Sequence, residues 1–277
     1  MKKIIVATDF SATAANAAKY AAQMALAVDA ELHLLHIYEL PVVYMELPIS
    51  MTDAELTANA RKAMNELKNS LFALTNNKVH IKSEIVMGTF FTELNTICNK
   101  IHPFAVIMGS QGKTAAERLF FGTHAVYAMK HLPWSLIAVP PEAKFSAIKT
   151  IGLACDFENV SETIPVDEIR SMVTDFDATL HILNIGKQDG FDSAIVRQSR
   201  ILREKLSSSK PVYHFLADKN IDEGILNFAE KNKIDLLVII PKSHSLIDKL
   251  MHKSHTRQMV LHSSYVPVMA LHPEYHA

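Results

Sequence analysis

The sequence predicts an α/β protein of two tandem domains, each a five-stranded parallel sheet with helices on both faces. Three observations lead there. The chain has 277 residues, 49% of them hydrophobic, enough for two domains that each bury a core. It also repeats itself. KIIVATDF (3–10) returns as TIGLACDF (150–157), PFAVIMGS (103–110) as IDLLVIIPK (234–242), and SLIAVPP (135–141) as PVMALHP (267–273). The segments recur in the same order and at similar spacing. Finally, short apolar runs alternate with helical stretches within a copy, as in parallel sheets covered on both sides. The boundary falls in PPEAKFS (140–146), which gives domains 1–142 and 147–277.

The elements of the first copy follow in order. KIIVAT is short, β-branched and continuously apolar, a buried strand. SATAANAAKYAAQMALAVDA is alanine-rich and predicts a helix with Ser11 as N-cap. ELHLLHIYEL is the second strand, and the two prolines of PVVYMELPISM make a loop. That loop is apolar through Tyr44, Met45 and Met51, which fits packing over the next helix. Residues 52–77 form a long helix, opened by a Thr52/Glu55 capping box and closed by Asn76-Asn77. VHIKSEIVMG is a strand, FTELNTICNKIH a helix and FAVIMG a strand. A helix over 123–131 leads to the last strand, LIAVP. The second copy repeats the plan, with less alanine across 158–178 and a shorter second crossover.

Bulk properties exclude several classes. Lys and Arg total 28 against 29 Asp and Glu, a formal charge of −1, so no basic excess points to nucleic acid. Two cysteines, Cys98 and Cys155, are too few for a disulfide framework or a four-cysteine zinc site; buried thiols are the expectation. The apolar run before Asp9 is too short for a signal peptide, and no stretch approaches the roughly 20 apolar residues of a spanning helix. A soluble cytoplasmic protein without a membrane partner is expected.

Only 8 glycines occur, and three cluster. MGSQGKT (108–114) ends like a phosphate-binding P-loop, but Ile107 occupies the first glycine position of Gly-x4-Gly-Lys-Thr. A different pattern fits: Gly109, Gly112 and Gly122-Thr123, or Gly-x2-Gly-x9-Gly-Thr. Gly109 ends a strand at the carboxyl edge, where open α/β sheets bind ligands. Gly122-Thr123 opens a helix whose free N–H groups and positive dipole end favour an anion. Glycines there would let the backbone approach phosphate oxygens. Lys113 and Arg118, within the intervening segment, fit a solvated face better than a phosphate contact.

With VATDFS, LLHIYE, MGSQGKTAAERLFFGTHA and SLIAVP in tandem halves, the chain resembles the universal stress protein family over nearly its whole length. The resemblance implies a Rossmann-like fold, related to adenine-nucleotide α-hydrolases, with five parallel strands per domain. It implies ATP as ligand, Mg being an optional companion, and pairing through the last strands. Carried over position by position, Asp9 lies near adenine and ribose, and the backbone of Ile37 reads the adenine edge. Met108 and Gly109 line ribose and phosphates; Gly112, Gly122 and Thr123 bind phosphate. His124 departs from the small residue many members carry there, although its backbone N–H would persist.

The second copy loses the motif. Counted back from the final strand, Gly109 corresponds to Pro241, Gly112 to His244, Gly122 to Ser254 and Thr123 to His255, while Asp156 survives. ATP is therefore expected in the N-terminal half alone. His244, His252, His255 and His262 fit polar surface better than zinc, since no firm fourth ligand accompanies them. There is no Gly-x-Ser-x-Gly and no Cys/His nucleophile pair. Beyond Asp9 there is neither an evident water-activating base nor a carboxylate cluster for Mg. The expectation is a stress-response or signalling module that binds ATP without efficient turnover. Slow hydrolysis or autophosphorylation (at Ser110 or Thr123), a nucleotide-dependent enzyme with a second ligand site in the C-terminal half, and a ligand-free interaction scaffold remain alternatives. The two final strands are expected to pair within the chain as a pseudo-dimer; a homodimer is a further option.

Overall fold

The computed structural model describes residues 1–39, 53–110, 124–186, 193–218, 220–241, 263 and 265–272. Its first half contains β1 (Lys2–Ala7), α1 (Ala12–Ala27), β2 (Ala30–Tyr38), α2 (Asp53–Leu74), β3 (Ile81–Met87), α3 (Phe90–Ile101), β4 (Ala105–Gly109) and β5 (Leu136–Val139). Helix α4 occupies 124–131 among the described residues. The second half contains β6 (Thr150–Ala154), α5 (Val160–Thr163), α6 (Val166–Phe176), β7 (Thr179–Gly186), α7 (Ser193–Lys205), β8 (Val212–Ala217), α8 (Ile221–Lys231), β9 (Leu236–Ile239) and β10 (Val268–Ala270).

The strands do not form two separate sheets. They form one ten-stranded sheet, in the order β3-β2-β1-β4-β5-β10-β9-β6-β7-β8. Each half contributes five strands with the same connectivity. The pairings within a half are parallel, and the halves meet at the antiparallel pair β5–β10, where Ile137 faces Met269. This seam joins two strands that would otherwise be open edges, the arrangement that shields backbone donors and acceptors from foreign strands.

Alternation along the strands divides the core. Ile4, Val6, Leu32, Leu34 and Ile107 pack on one face with Ile151, Leu153 and Met269 of the second half. Ile5, Leu35, Val106 and Met108 pack on the other, with α3 and α4 supplying Leu94 and Met129. Burying such side chains on both faces explains why the strands read as continuous apolar runs.

Helix boundaries have local causes. The Ser11 hydroxyl accepts from Ala14 N at 3.1 Å and caps α1. Asn76 and Asn77, with φ of 50° and 59°, take the left-handed conformation that stops α2. The expected Thr52/Glu55 capping box and the 41–51 loop lie outside the described residues. The alanine-poor counterpart of α1 is split in two: α5 ends at Thr163, and Ile164-Pro165 intervenes before α6. Proline breaks the helix because it lacks an N–H and clashes with the preceding turn. The second crossover is shorter, with 13 residues in α7 against 22 in α2. The 140–146 segment is held down: Asn16 Nδ2 of α1 donates to the carbonyls of Pro140 (3.1 Å) and Ala143 (2.9 Å). Tyr20 meets Phe145 edge-on at 5.1 Å.

Candidate functional site

Strand order reverses between β1 and β4, the place where α/β sheets open a crevice at their carboxyl ends. A cavity of about 350 Å³ lies there, within the roughly 300–1,000 Å³ usual for small-molecule sites. Asp9, Ile37, Met108, Gly109 and His124 all line it. Residues from β1, β2, β4 and α4, far apart in the chain, are thus brought to one crevice. Gly112, Gly122 and Thr123 lie outside the described residues.

The turn after β1 is tightly built. Ser11 N donates to Asp9 Oδ1 at 2.9 Å, and Phe10 N donates to Thr8 Oγ1 at 3.0 Å. Phe10 adopts φ of 61°, a conformation that the local hydrogen bonds hold. Thr8 N donates to Leu35 O at 2.9 Å, and His36 Nδ1 donates to Thr8 O at 2.7 Å. The Asp9 carboxylate is therefore fixed at the rim by the backbone that follows it and by β2 beside it. The His36 ring also lies 4.5 Å from Phe10, centroid to centroid.

Gly109 has a packing reason. A Cβ there would lie 2.9 Å from Thr13 Cγ2, 3.1 Å from the Thr13 carbonyl carbon and 3.2 Å from Ala14 N. The end of β4 meets the first turn of α1 so closely that a side chain cannot enter. Ser110 follows; it is 1% exposed, and its hydroxyl has no hydrogen-bond partner among the described residues. A buried hydroxyl without a partner is costly unless a ligand or water meets it.

Opposite stands an aromatic wall. Phe90 stacks on the His124 ring at 5.2 Å and 9°, and Phe91 meets that ring edge-on at 5.3 Å. Both phenylalanines open α3, whose first amide, Phe90 N, donates to Glu39 Oε1 at 3.3 Å. Burial pushes the His124 imidazole below its ordinary value, and the Glu39 carboxylate opposes that only in part. Sequence reasoning missed His36, Glu39, Phe90 and Phe91 as lining residues. The available signal was positional, since GTFF begins a helix directly after a strand's carboxyl end.

The second half repeats the turn. Cys155 N donates to Leu183 O at 2.9 Å, as Thr8 N does to Leu35 O. Glu158 N donates to Asp156 Oδ1 at 3.0 Å, Phe157 has φ of 56°, and Asn184 Nδ2 donates to Cys155 O at 2.9 Å. Thr8, Asp9, Phe10 and His36 thus have counterparts in Cys155, Asp156, Phe157 and Asn184. Sheet register also corrects the sequence correspondence by one residue. Ile4 pairs with Ala105 and Ile151 with Leu236, which brings Ile240, not Pro241, to the place of Gly109. Pro241 stands where Ser110 stands. Counting back from the final strand erred because the second half has one residue more between its last two strands. The conclusion that no glycine occupies this place is unchanged, and a branched side chain stands where the first half accommodates none. His244, Ser254 and His255 lie outside the described residues, as do His252 and His262. Among the described residues, no cluster of three or more His, Cys, Asp or Glu could hold a metal ion. No described helix is long and apolar enough to cross a membrane.

The sequence profile of the universal stress protein family matches residues 1–140. A universal stress protein of Methanocaldococcus jannaschii is 26% identical over 145 residues, spanning 50% of this chain and 83% of its own. Among solved structures, a universal stress protein from Archaeoglobus fulgidus superposes with a TM-score of 0.71 at 14% identity, covering 98% of this chain and 96% of that one. A protein of unknown function from Pseudomonas aeruginosa gives 0.65 at 12% identity, covering 99% and 93%. At such identities the structural likeness concerns the fold.

Proposed function

The chain belongs to the universal stress protein family, and on that premise we propose that it binds ATP in its N-terminal half as a nucleotide-responsive stress or signalling module. The observation that carries this reading is the cavity at the β1–β4 reversal, lined by Asp9, Ile37, Met108, Gly109 and His124. The downstream Gly112 and Gly122-Thr123 complete the phosphate pattern in the sequence. In this reading Asp9 and the Ile37 backbone hold the nucleoside. Met108 and Gly109 flank ribose and phosphates, and the backbone amides of Gly112, Gly122, Thr123 and His124 hold phosphate oxygens. The Asp9 carboxylate, held by Ser11 N, supports a polar ligand here. The chain is read as two tandem domains, 1–142 and 147–277, paired within the chain through β5 and β10. The second domain, with Ile240 in place of Gly109, serves as a structural partner without ATP. The reading is of binding rather than of efficient turnover.

The test is thermal unfolding with and without ATP. A ligand that binds only the folded state raises its stability by mass action, by about 2.7 kcal/mol at 100 times Kd. ATP is expected to raise the melting temperature of the protein, and Gly122→Trp to abolish that rise. An unchanged rise in the variant would overturn the site assignment; no rise in the parent protein would overturn ATP binding.

A further inference from the structure

The His124 side chain has a role that the phosphate pattern does not assign, because that pattern uses only the backbone at this position. We propose that His124 takes up a proton from solvent when nucleotide phosphates enter the cavity, so that binding at this site tightens as pH falls. The inference rests on the proposed ATP site and deepens it.

Geometry carries the argument. The ring lines the cavity and lies flat against Phe90 at 5.2 Å, with Phe91 edge-on at 5.3 Å. It sits in the first described turn of α4, directly after Gly122-Thr123. A helix N-terminus disfavours a cation and attracts an anion. Without ligand, two influences disfavour the imidazolium: apolar burial and the helix end. Phosphate reverses the second, because it brings negative charge to the same helix end. The Phe90 face beside the ring then favours the cation so formed.

The surrounding charges do not accomplish this alone. Just after β2, Glu39 attracts a proton to His124, yet burial prevails and the imidazole stays below its ordinary value. In the turn after β1, Asp9 faces the same cavity with its Oδ1 engaged by Ser11 N. His36 faces it with its Nδ1 given to Thr8 O. Beside His124, α3 presents Phe90 and Phe91 and carries Glu93 in its first turn. β4 presents Met108 and Gly109, and α4 itself adds Tyr127, in contact with Phe91, and His131 one turn on. The largest new charge that binding adds near His124 is the phosphate.

The experiment is calorimetric titration of ATP into the full chain at pH 6, 7 and 8, in buffers of different ionisation enthalpy. The buffer dependence counts protons taken up. The same titrations on His124→Phe, which keeps an aromatic ring on the Phe90 stack, and on His124→Gln subtract the protonation of ATP itself. Circular dichroism establishes that each variant is folded. The parent protein is expected to take up a fraction of a proton more than either variant near pH 7. Its affinity is expected to rise toward pH 6 relative to theirs, by up to about tenfold for each unit by which phosphate raises the imidazole. Equal proton uptake in parent and both variants would overturn the role of His124 and leave the ATP site standing. Absence of binding by the parent at every pH would overturn both.

Discussion

Gly109 shows how one residue serves close packing while lining a cavity. A Cβ there meets Thr13 and the Ala14 amide at 2.9–3.2 Å, and two of those three contacts are backbone atoms that cannot turn away. Gly109→Val is therefore expected to push α1 off β4 and to cost about 1–3 kcal/mol, the usual range for overpacking. Urea denaturation measures it; unchanged stability would refute the close approach. The position was legible as a glycine because the spacing to Gly112 and Gly122 singled it out. The packing reason was not, because Thr13 and Ala14 are almost a hundred positions away and nothing local in FAVIMG points to them. The same holds for Phe90 and His36. Their local sequences read as ordinary helix start and strand, and only the convergence of α3, β2 and α4 turns them toward the cavity.

At the scale of elements, the period and cap signals in the first half read well. The Ser11 cap and the Asn76-Asn77 stop occur where side-chain chemistry demands them. The seam between α5 and α6 was harder to see, since reduced alanine content announced a difference without locating Pro165 as the break. The start of the β2–β3 pair holds a charge cluster that the apolar pattern concealed. Glu31, 4% exposed, accepts from His33, from His80 Nδ1 at 2.5 Å and from Lys82 Nζ at 3.0 Å. Burial by itself would raise its carboxyl, but the hydrogen bonds from Lys82, His80 and His33 outweigh it and hold the group at about 2, against an ordinary 4.5. The sign follows from linkage: a depressed carboxyl stabilises the fold fully above its unfolded value and loses that contribution as pH falls toward its folded value. Stability should therefore decline between pH 4.5 and pH 2 more steeply in the parent than in Glu31→Gln. Urea midpoints across that range decide it, and parallel slopes would contradict the role given to Glu31.

The whole molecule is two like halves fused along β5 and β10 into one ten-stranded sheet. The repeat in the sequence anticipated the halves and the strands that meet. It did not anticipate that hydrophobic cores would run across the seam, joining Ile4 and Val6 to Ile151 and Leu153 on one face. That continuity arises because sheet pairing aligns faces, a consequence of tertiary pairing rather than of either copy's pattern. The halves share the turn after their first strand, down to the left-handed Phe10 and Phe157. They differ where Gly109 is matched by Ile240. The asymmetry proposed between the halves rests on the loss of room at a β-strand end within a shared frame. Native mass spectrometry of the purified chain tests this account most directly, with ATP present and the complex transferred intact. The account predicts one ATP per chain. Two per chain, or none, would contradict it.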